Sequence, residues 1–456
     1  HQEIEDIIVL KNNKGSEDNR VRKLDYSIQL SKLFYERFIE NKDITLFSPH
    51  EVPELYEAWG SPEFDDLYEK AERKTSVKKT KVNAQELIFD ILKERAETGR
   101  IYIMNIDHCN THSSFKDRVY MSNLCQEITL PTDPIQHIDK EGEIALCILS
   151  AINVGKINRR YELEPLCDLA VRALDEIIDH QKYPVVAAEI STKARRSLGI
   201  GYIGLAHYLA KKGYKYDQKL AWRQIDKLTE AFQYYLLKTS NQLAKEKGKC
   251  KYFDRTKYAD GILPIDTYKK EVDEIVKRDL TFDWEWLRKE IKKDGLRHST
   301  LSAQMPSESS SVVSNATNGV EPPRDFISVK KSKKGPLKQV VPEYAKLKNN
   351  YTLLWDMKSN EGYINVVSVM QKYFDQAISG NWSYNPENYE DNQVPVSVMA
   401  QDLLNTYKYG WKTSYYQNTY DAKKDIDEPS HPVGWTDNVP EKEEVKDEEN
   451  CESCTI

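Results

Sequence analysis

Helical and extended patterns alternate along most of this chain, and the alternation limits the folds open to it. Residues 84–99 (AQELIFDILKERAETG) have apolar side chains at helical spacing, and Gly99 is suited to end the helix. Residues 100–107 (RIYIMNID) follow at once and predict a strand. This order of elements is typical of α/β proteins with parallel strands. The sequence therefore predicts an α/β fold for residues 1–420.

Two further stretches have strong helical patterns. Residues 163–180 (LEPLCDLAVRALDEIIDH) are amphipathic, and Cys167 beside their apolar stripe is predicted to belong to the core. Residues 231–248 (AFQYYLLKTSNQLAKEKG) predict a helix that ends at Gly248. The stripe predicted for the first helix consists of Leu166, Ala170, Val171, Leu174, Ile177 and Ile178.

Charge is unevenly distributed along the 456 residues, whose net charge is −7. Residues 421–456 carry 12 acidic and 4 basic side chains, with scattered prolines and few apolar residues. This composition is typical of a flexible tail, so we predict a domain boundary after residue 420. The rest of the chain is close to neutral, which argues against a nucleic-acid partner.

Two features bear on location. No apolar run is long enough to span a membrane, so we expect no membrane partner. Seven cysteines, an odd number in a chain of this length, fit a reducing compartment better than a secreted disulfide scaffold. We therefore predict a cytoplasmic protein.

The stretch SNLCQEITLPT (122–132) places three chemically active groups at every second position. Asn123, Cys125 and Glu127 would point to one side of an extended chain. An amide, a thiol and a carboxylate would then share one small space. The alternative is that the cysteine is an ordinary small apolar residue of a buried strand.

A formal dinucleotide fingerprint occurs at Gly199, Gly201 and Gly204 in LGIGYIG. Such a fingerprint should follow an apolar strand, but the polar stretch STKARRS precedes this one. We therefore favour close packing by the glycines over cofactor binding.

The stretch DHCNTH offers His108, Cys109 and His112 as possible zinc ligands. The four-residue spacing of the histidines would suit a metal on a helix, but no second ligand pair occurs at usable spacing. We therefore favour a loop with internal hydrogen bonds.

Serines follow a proline in MPSESSSVVSNATNG (305–319), just before an apparent helix. Amides and hydroxyls at a helix start suit phosphate oxygens, although an ordinary serine N-cap would have the same appearance. The serines are Ser307, Ser309, Ser310 and Ser311.

Two residue pairs remain. Tyr415 and Tyr416 mean little by themselves, because the chain has 28 tyrosines. Cys451 and Cys454 form a C-x-x-C in the predicted tail, which has no core to bury them. Two close thiols there favour dithiol–disulfide exchange, with metal binding as the alternative.

Six stretches occur here in the order found in one known family: SNLCQEITLPT, GEIALC, MPSESS, NATNGVEPPR, TSYYQNT and a terminal cysteine pair. On these motifs the chain, from His1 to Ile456, closely resembles the large catalytic subunit of class I ribonucleotide reductase. The resemblance implies the C-terminal half of a ten-stranded α/β barrel, with a finger loop at its centre. It also implies an oxidoreductase that converts ribonucleoside diphosphates to deoxyribonucleotides for DNA synthesis by a thiyl-radical mechanism.

The resemblance gives roles to the first motif. Cys125, on the finger loop, is implied to become a thiyl radical that removes the 3′ hydrogen of the ribose. Glu127 matches the carboxylate that accepts the 3′-hydroxyl proton, and Asn123 matches an amide that hydrogen-bonds the substrate. Such a set suits the chemistry, because loss of the 2′-hydroxyl becomes feasible beside a carbon radical with an acid–base group in reach.

The resemblance implies further roles elsewhere. Cys147 matches one of two cysteines that supply electrons by forming a disulfide. Tyr415 and Tyr416 match a pair that passes the radical to the cysteine, and Cys451 and Cys454 match a tail dithiol that re-reduces the disulfide. The loop implied to hold the substrate diphosphate consists of Pro306, Ser307, Glu308, Ser309 and Ser310.

A tyrosine pair indicates class I, in which the radical is imported. The resemblance therefore implies no metal or cofactor in this chain, a metal-containing small subunit as radical source, and thioredoxin or glutaredoxin as reductant. The family's first reducing cysteine and effector sites lie upstream of the matching region, so we expect a partner chain that carries the N-terminal half. The alternative is an inactive remnant that acts as an interaction partner of the reductase complex, and a nicotinamide dehydrogenase is a third hypothesis.

Overall fold

The computed structural model describes residues 1–12, 14, 20–21, 23–137, 139–332 and 335–421. Cys451 and Cys454, together with the predicted tail after Asp421, lie outside these residues. The described part of the chain is a mixed α/β structure, which confirms the fold class predicted from the alternating patterns.

Helices and strands alternate along the described residues. The helices are α1 (Ile4–Ile8), α2 (Lys32–Ile39), α3 (Pro53–Glu57), α4 (Phe64–Arg73), α5 (Ala84–Thr98), α6 (Ile106–Thr111), α7 (Leu163–His180), α8 (Val186–Arg195), α9 (Leu205–Lys212), α10 (Lys219–Lys247), α11 (Pro264–Thr267), α12 (Trp284–Asp294), α13 (Glu308–Val313), α14 (Tyr344–Leu347), α15 (Glu361–Gln371) and α16 (Val396–Lys408). The strands are β1 (Ser27–Leu30), β2 (Asp43–Phe47), β3 (Lys79–Asn83), β4 (Tyr102–Asn105), β5 (Ile148–Asn153), β6 (Leu198–Ile203), β7 (Ile327–Ser332), β8 (Gly335–Val340), β9 (Trp382–Tyr384), β10 (Thr413–Ser414) and β11 (Gln417–Thr419). Of the helices in this part of the chain, none combines the length and the apolar composition that crossing a bilayer requires.

Both parallel and antiparallel pairs occur among the strands. The parallel pairs are β1 with β4, β5 with β6, and β9 with β11. Strand β10 runs antiparallel to β4, and the pairs β2–β3 and β7–β8 are antiparallel. The parallel pairing predicted from the sequence is therefore confirmed for part of the sheet structure only.

Two extended segments, 300–304 and 376–380, connect these small sheets. Segment 300–304 bonds to β6 on one side and to segment 376–380 on the other. Gly380 O then accepts a hydrogen bond of 2.7 Å from the amide of Tyr415, directly after β10. The hydrogen-bonded strands and segments therefore form one series in the order β5, β6, 300–304, 376–380, β10, β4, β1. Within the described residues it stays open, with β5 and β1 at its two edges.

Three helices were predicted from local patterns, and all of their ends except the start of the third agree with the structure to within one residue. Helix α5 ends as predicted at Gly99, which adopts a left-handed conformation with φ 69°. The predicted helix 231–248 is the second half of the longer α10, which ends before Gly248. The predicted strand 100–107 is shorter, because α6 begins at Ile106.

The apolar face predicted for α7 was partly wrong. Leu166 and Ile177 are 39% and 45% exposed, whereas Cys167 is fully buried as predicted. The buried face keeps Val171, Leu174 and Ile178 of the predicted stripe but is rotated toward Cys167 and Asp175, because packing against α10 decides which side of an apolar stripe is covered. The residues of α7 that are buried are Leu163, Cys167, Val171, Leu174, Asp175 and Ile178.

Candidate active site

The stretch that contains Cys125 is a turn, so the predicted extended arrangement was wrong. Asn123 O accepts a hydrogen bond of 3.1 Å from the amide of Gln126, which makes Leu124 and Cys125 the central residues of a four-residue turn. Gln126 has a positive φ of 70°, which redirects the chain before Glu127. Asparagine at the first position of a turn was the signal that could have revealed it.

The turn buries two of the three predicted residues, and Ser379 bonds to both. Cys125 and Glu127 are 4% and 2% exposed. The Ser379 hydroxyl bonds to the carbonyl of Cys125 and lies 3.2 Å from Glu127 Oε2. The Oδ1 of Asn123 instead accepts a bond of 3.1 Å from the amide of Ile128, and Asn123 lines a separate cavity of about 280 Å³.

The tyrosine pair lies directly against the buried thiol. The Tyr415 hydroxyl donates to Cys125 Sγ at 3.5 Å, and the ring centroids of Tyr415 and Tyr416 are 3.9 Å apart. Burial, together with Cys125, raises the pKa of Tyr415 far above its ordinary value, so its phenol stays protonated. Tyr102, which the sequence did not single out, packs with its ring centroid 4.7 Å from that of Tyr415. The Arg100 guanidinium lies 4.9 Å from the ring centre of Tyr416.

A cavity of about 300 Å³ connects the tyrosine pair with the serine-rich stretch. Its wall includes Pro306 and Glu308, so the predicted phosphate loop and the tyrosine pair face one space. Ser307 precedes α13 but does not cap it with its side chain, since its hydroxyl donates to Met305 O at 3.2 Å. The other serines predicted for this loop are Ser309, which is exposed, and Ser310, whose hydroxyl donates to Ser307 O at 3.3 Å.

Segment 376–380, with the following Asn381, organises the site, and sequence reasoning missed it. Its contacts reach the cysteine turn, the tyrosine pair and Cys147. They are the Gln376 amide to Cys147 Sγ at 3.5 Å, Ala377 N to Glu127 O at 3.0 Å, the Ser379 hydroxyl to Cys125 O, Gly380 O to Tyr415 N at 2.7 Å, and Asn381 Oδ1 to Tyr416 N at 3.0 Å. The segment has neither charge nor a helical period, so no familiar pattern marks it. The segment needs a glycine at position 380, because a Cβ at Gly380 would collide with the Trp411 ring.

Cys147 is half-buried just before β5, and Gly199 of the formal fingerprint packs against its sulfur. A Cβ at Gly199 would lie 2.9 Å from the Cys147 sulfur, and one at Gly201 would lie 2.6 Å from Ala303 O. Both glycines lie inside β6, whereas a dinucleotide fingerprint places its glycines in the turn after the strand. The packing interpretation of this motif is therefore the one the structure supports.

The residues of DHCNTH belong to helix α6 and its C-terminus, so the predicted loop was wrong. Each histidine has a bond within the protein, since His108 Nδ1 lies 2.9 Å from Trp411 O and His112 Nε2 lies 2.7 Å from Gln371 O. Cys109 is fully buried. Across the described ranges, no group of three or more His, Cys, Asp and Glu side chains is arranged to hold a metal.

Lys412 donates hydrogen bonds to the backbone at the start of segment 376–380. Its side chain is fully buried, and its Nζ donates to Asp375 O and Gln376 O at 2.9 Å each. Burial lowers the pKa of Lys412 to about 7. Between that value and the ordinary lysine pKa, the unfolded chain binds a proton that the folded chain does not, so the free energy of unfolding rises with pH in this range.

We expect the stability difference between the wild type and a Lys412→Met variant to grow as the pH rises from 6 to 9. Each unit of pKa difference corresponds to about 1.4 kcal/mol, so we expect an increase of about 1–3 kcal/mol. Urea unfolding at both pH values measures it. Lys408→Met is the matched control, because Lys408 is exposed on α16. An equal difference at both pH values would mean that the buried amine keeps an ordinary pKa.

The chain is similar to known proteins along almost its whole length. A family model described as "Ribonucleotide reductase, barrel domain" matches residues 1–417. The ribonucleoside-diphosphate reductase subunit alpha of Haemophilus influenzae is 57% identical over 434 residues, which cover 94% of this chain. The corresponding subunits of Buchnera aphidicola subsp. Schizaphis graminum and of Escherichia coli are 52% and 53% identical, over 100% and 95% of this chain.

These relatives are longer than the chain. The matched region covers 57%, 60% and 58% of the Haemophilus, Buchnera and Escherichia proteins, respectively. The chain therefore spans somewhat more than half the length of the curated relatives that it matches.

Proposed function

This chain belongs to the ribonucleotide reductase large-subunit family, and we propose that it carries the radical and acid–base residues of a ribonucleoside-diphosphate reductase. The observation that carries the proposal is the 3.5 Å contact between the Tyr415 hydroxyl and the Cys125 sulfur. A phenol bonded to a buried thiol, beside a buried carboxylate, is the arrangement that hydrogen-atom transfer followed by acid–base chemistry requires.

In the proposed mechanism Cys125 gives its hydrogen atom to a phenoxyl radical at Tyr415. The S–H bond breaks, the O–H bond forms, and the unpaired electron resides on sulfur. Tyr416 is the preceding station, and its ring contact with Tyr415 supports this order. The raised pKa of Tyr415 is favourable, because the proton then moves with the electron and no buried phenolate forms.

The Cys125 radical then removes the 3′ hydrogen of the ribose. Glu127 accepts the proton of the 3′-hydroxyl, and the bond from Ser379 holds its carboxylate beside the turn that carries Cys125. Asn123 is proposed to hydrogen-bond the substrate. Because its Oδ1 is engaged by the turn, its Nδ2 is the atom we assign to that contact.

The remaining steps need two electrons and three protons. Cys147 and a second cysteine supply two electrons and two protons, so that the 2′-hydroxyl leaves as water, the 2′ carbon gains a hydrogen and the two sulfurs become a disulfide. Glu127 returns the third proton to the 3′ oxygen. The hydrogen atom on Cys125 then returns to the 3′ carbon. Cys451 and Cys454 are proposed to re-reduce the disulfide by exchange and to be reduced themselves by thioredoxin or glutaredoxin in the cytoplasm.

The substrate diphosphate is proposed to bind at the loop from Pro306 to Ser310. That this loop and the tyrosine pair line one cavity of about 300 Å³ supports the assignment. The cavity joins the place where phosphates would bind with the place where the radical would arrive.

We further propose that residues 1–420 form part of a ten-stranded barrel, with residues 123–126 as its finger loop and 421–456 as a separate tail. The open edges at β5 and β1 support this, since a parallel edge strand needs a partner. The missing strands would come from the part of the large subunit that this chain does not span. The radical would come from a metal-containing small subunit.

Reconstitution tests the proposal. We expect deoxyribonucleotide formation when this chain is combined with the remaining part of the large subunit, the small subunit and a dithiol reductant. The chain with the small subunit alone should be inactive. Robust turnover by those two components would contradict the division of strands, and no turnover from the complete mixture would favour the inactive remnant.

A further inference from the structure

Gln376 is a buried side chain whose amide is held at both ends by the backbone. It is fully buried. Its Oε1 accepts a bond of 3.3 Å from the amide of Thr129, and its Nε2 donates to Leu198 O at 2.9 Å. A primary amide has two N–H groups, and the second reaches Cys147 Sγ at 3.5 Å.

The orientation of this amide is fixed by its surroundings. Turning it over would place its oxygen against the carbonyl of Leu198 and would leave the Thr129 amide facing an N–H group. The backbone of Gln376 is held as well, since its nitrogen donates to Ser302 O at 3.0 Å and its oxygen accepts from Lys412 Nζ at 2.9 Å. The donor therefore points at the sulfur before any ligand binds.

The other surroundings of the sulfur raise the pKa of the Cys147 thiol, whereas the Gln376 amide lowers it. Burial raises the pKa of the Cys147 thiol most, and the carboxylates of Glu127 and Asp375 raise it further. The Gln376 amide lowers it, because an N–H donor stabilises a thiolate more than a thiol.

We propose that Gln376 is a positioning residue for Cys147, which orients the sulfur and stabilises its thiolate form. The inference rests on the reducing role proposed above for Cys147. When the active-site disulfide is re-reduced, a thiolate of the dithiol reductant attacks the partner sulfur. A new S–S bond forms, the old one breaks, and its electron pair leaves on Cys147. That thiolate, stabilised by Gln376, later takes a proton from water, and a more stable leaving thiolate makes the exchange faster.

Alkylation of the chain itself tests this without turnover. Iodoacetamide is added between pH 7 and 10, and the modification of Cys147 and Cys125 is followed in the same sample by peptide mass spectrometry. In Gln376→Met, which keeps the chain length but has no N–H, we expect the Cys147 rate at a given pH to fall roughly threefold to tenfold. The Cys125 rate should stay within about twofold. Gln233→Met is the matched control, because Gln233 is also fully buried but donates to Asp375 Oδ2.

Gln376→Glu provides a second, nearly isosteric variant should the methionine variant fail to fold. It places a carboxylate beside the sulfur, and we expect an even slower Cys147 reaction. An unchanged Cys147 profile in a folded variant would overturn the proposal, and so would an equal decrease at Cys147 and Cys125. Neither substrate nor small subunit takes part in this measurement. An inactive reconstitution therefore leaves it valid, and an unchanged alkylation rate leaves the reductase proposal standing.

Discussion

A Tyr415→Phe variant is expected to lose reductase turnover by more than about 1,000-fold, which corresponds to about 4 kcal/mol or more in activation free energy. Phenylalanine preserves the ring and its packing but has no hydroxyl hydrogen to exchange with sulfur. The hydroxyl that is removed contacts Cys125 Sγ at 3.5 Å. Because sulfur is a weak acceptor, we expect little change in stability. Deoxyribonucleotide formation in the reconstituted reductase measures the first effect, and urea unfolding measures the second.

The chain offers a close control for this variant. Tyr351 is 4% exposed, as is Tyr415, but its hydroxyl donates to Pro342 O at 2.7 Å. Tyr351→Phe should cost about 1 kcal/mol of stability through the lost hydrogen bond and should leave turnover nearly unchanged. Binding of a ribonucleoside diphosphate should survive in both variants. If Tyr415→Phe instead lost binding in step with activity, the tyrosine pair would have a structural role.

The sequence predicted those parts of the fold that depend on neighbours along the chain. Helix α5 has an unbroken apolar period and a glycine that can adopt a positive φ, and both signals are local. The buried face of α7 was displaced because Leu166 is as apolar as its buried neighbours, and only packing against α10 distinguishes them. The turn at Asn123 was missed because alternation of residue types does not reveal a positive φ at Gln126.

Residues of the candidate site could be predicted from the sequence only where they belong to a recognisable motif. Cys125 and Tyr415 are 290 residues apart, and Ser379 is 254 residues from Cys125, so no local period relates them. Resemblance to a family predicted a chemical role for the first pair. It gave no sign of Gln376 or Ser379, because these two act through single hydrogen bonds whose partners the fold selects.

A Cys125→Ser variant is expected to abolish turnover, again by more than about 1,000-fold, while the turn and the substrate cavity stay intact. Serine has nearly the size of cysteine and can keep the bond from Tyr415. Its O–H bond is much stronger than an S–H bond, so a tyrosyl radical cannot take the hydrogen atom. The measurement is product formed per reconstituted enzyme, together with binding of a ribonucleoside diphosphate.

Cys167→Ser is the control for removing a buried sulfur. Cys167 is fully buried on α7, and its Sγ makes a weak contact with Phe232 O at 4.0 Å. This variant should lose some stability and keep its turnover, because it alters the core without touching the proposed radical site. Turnover retained in Cys125→Ser would mean that another group abstracts the 3′ hydrogen. Loss of turnover in both variants, in proportion to their loss of stability, would mean that Cys125 is needed for packing. Loss in Cys125→Ser alone, with binding retained, is the result that a radical cysteine requires.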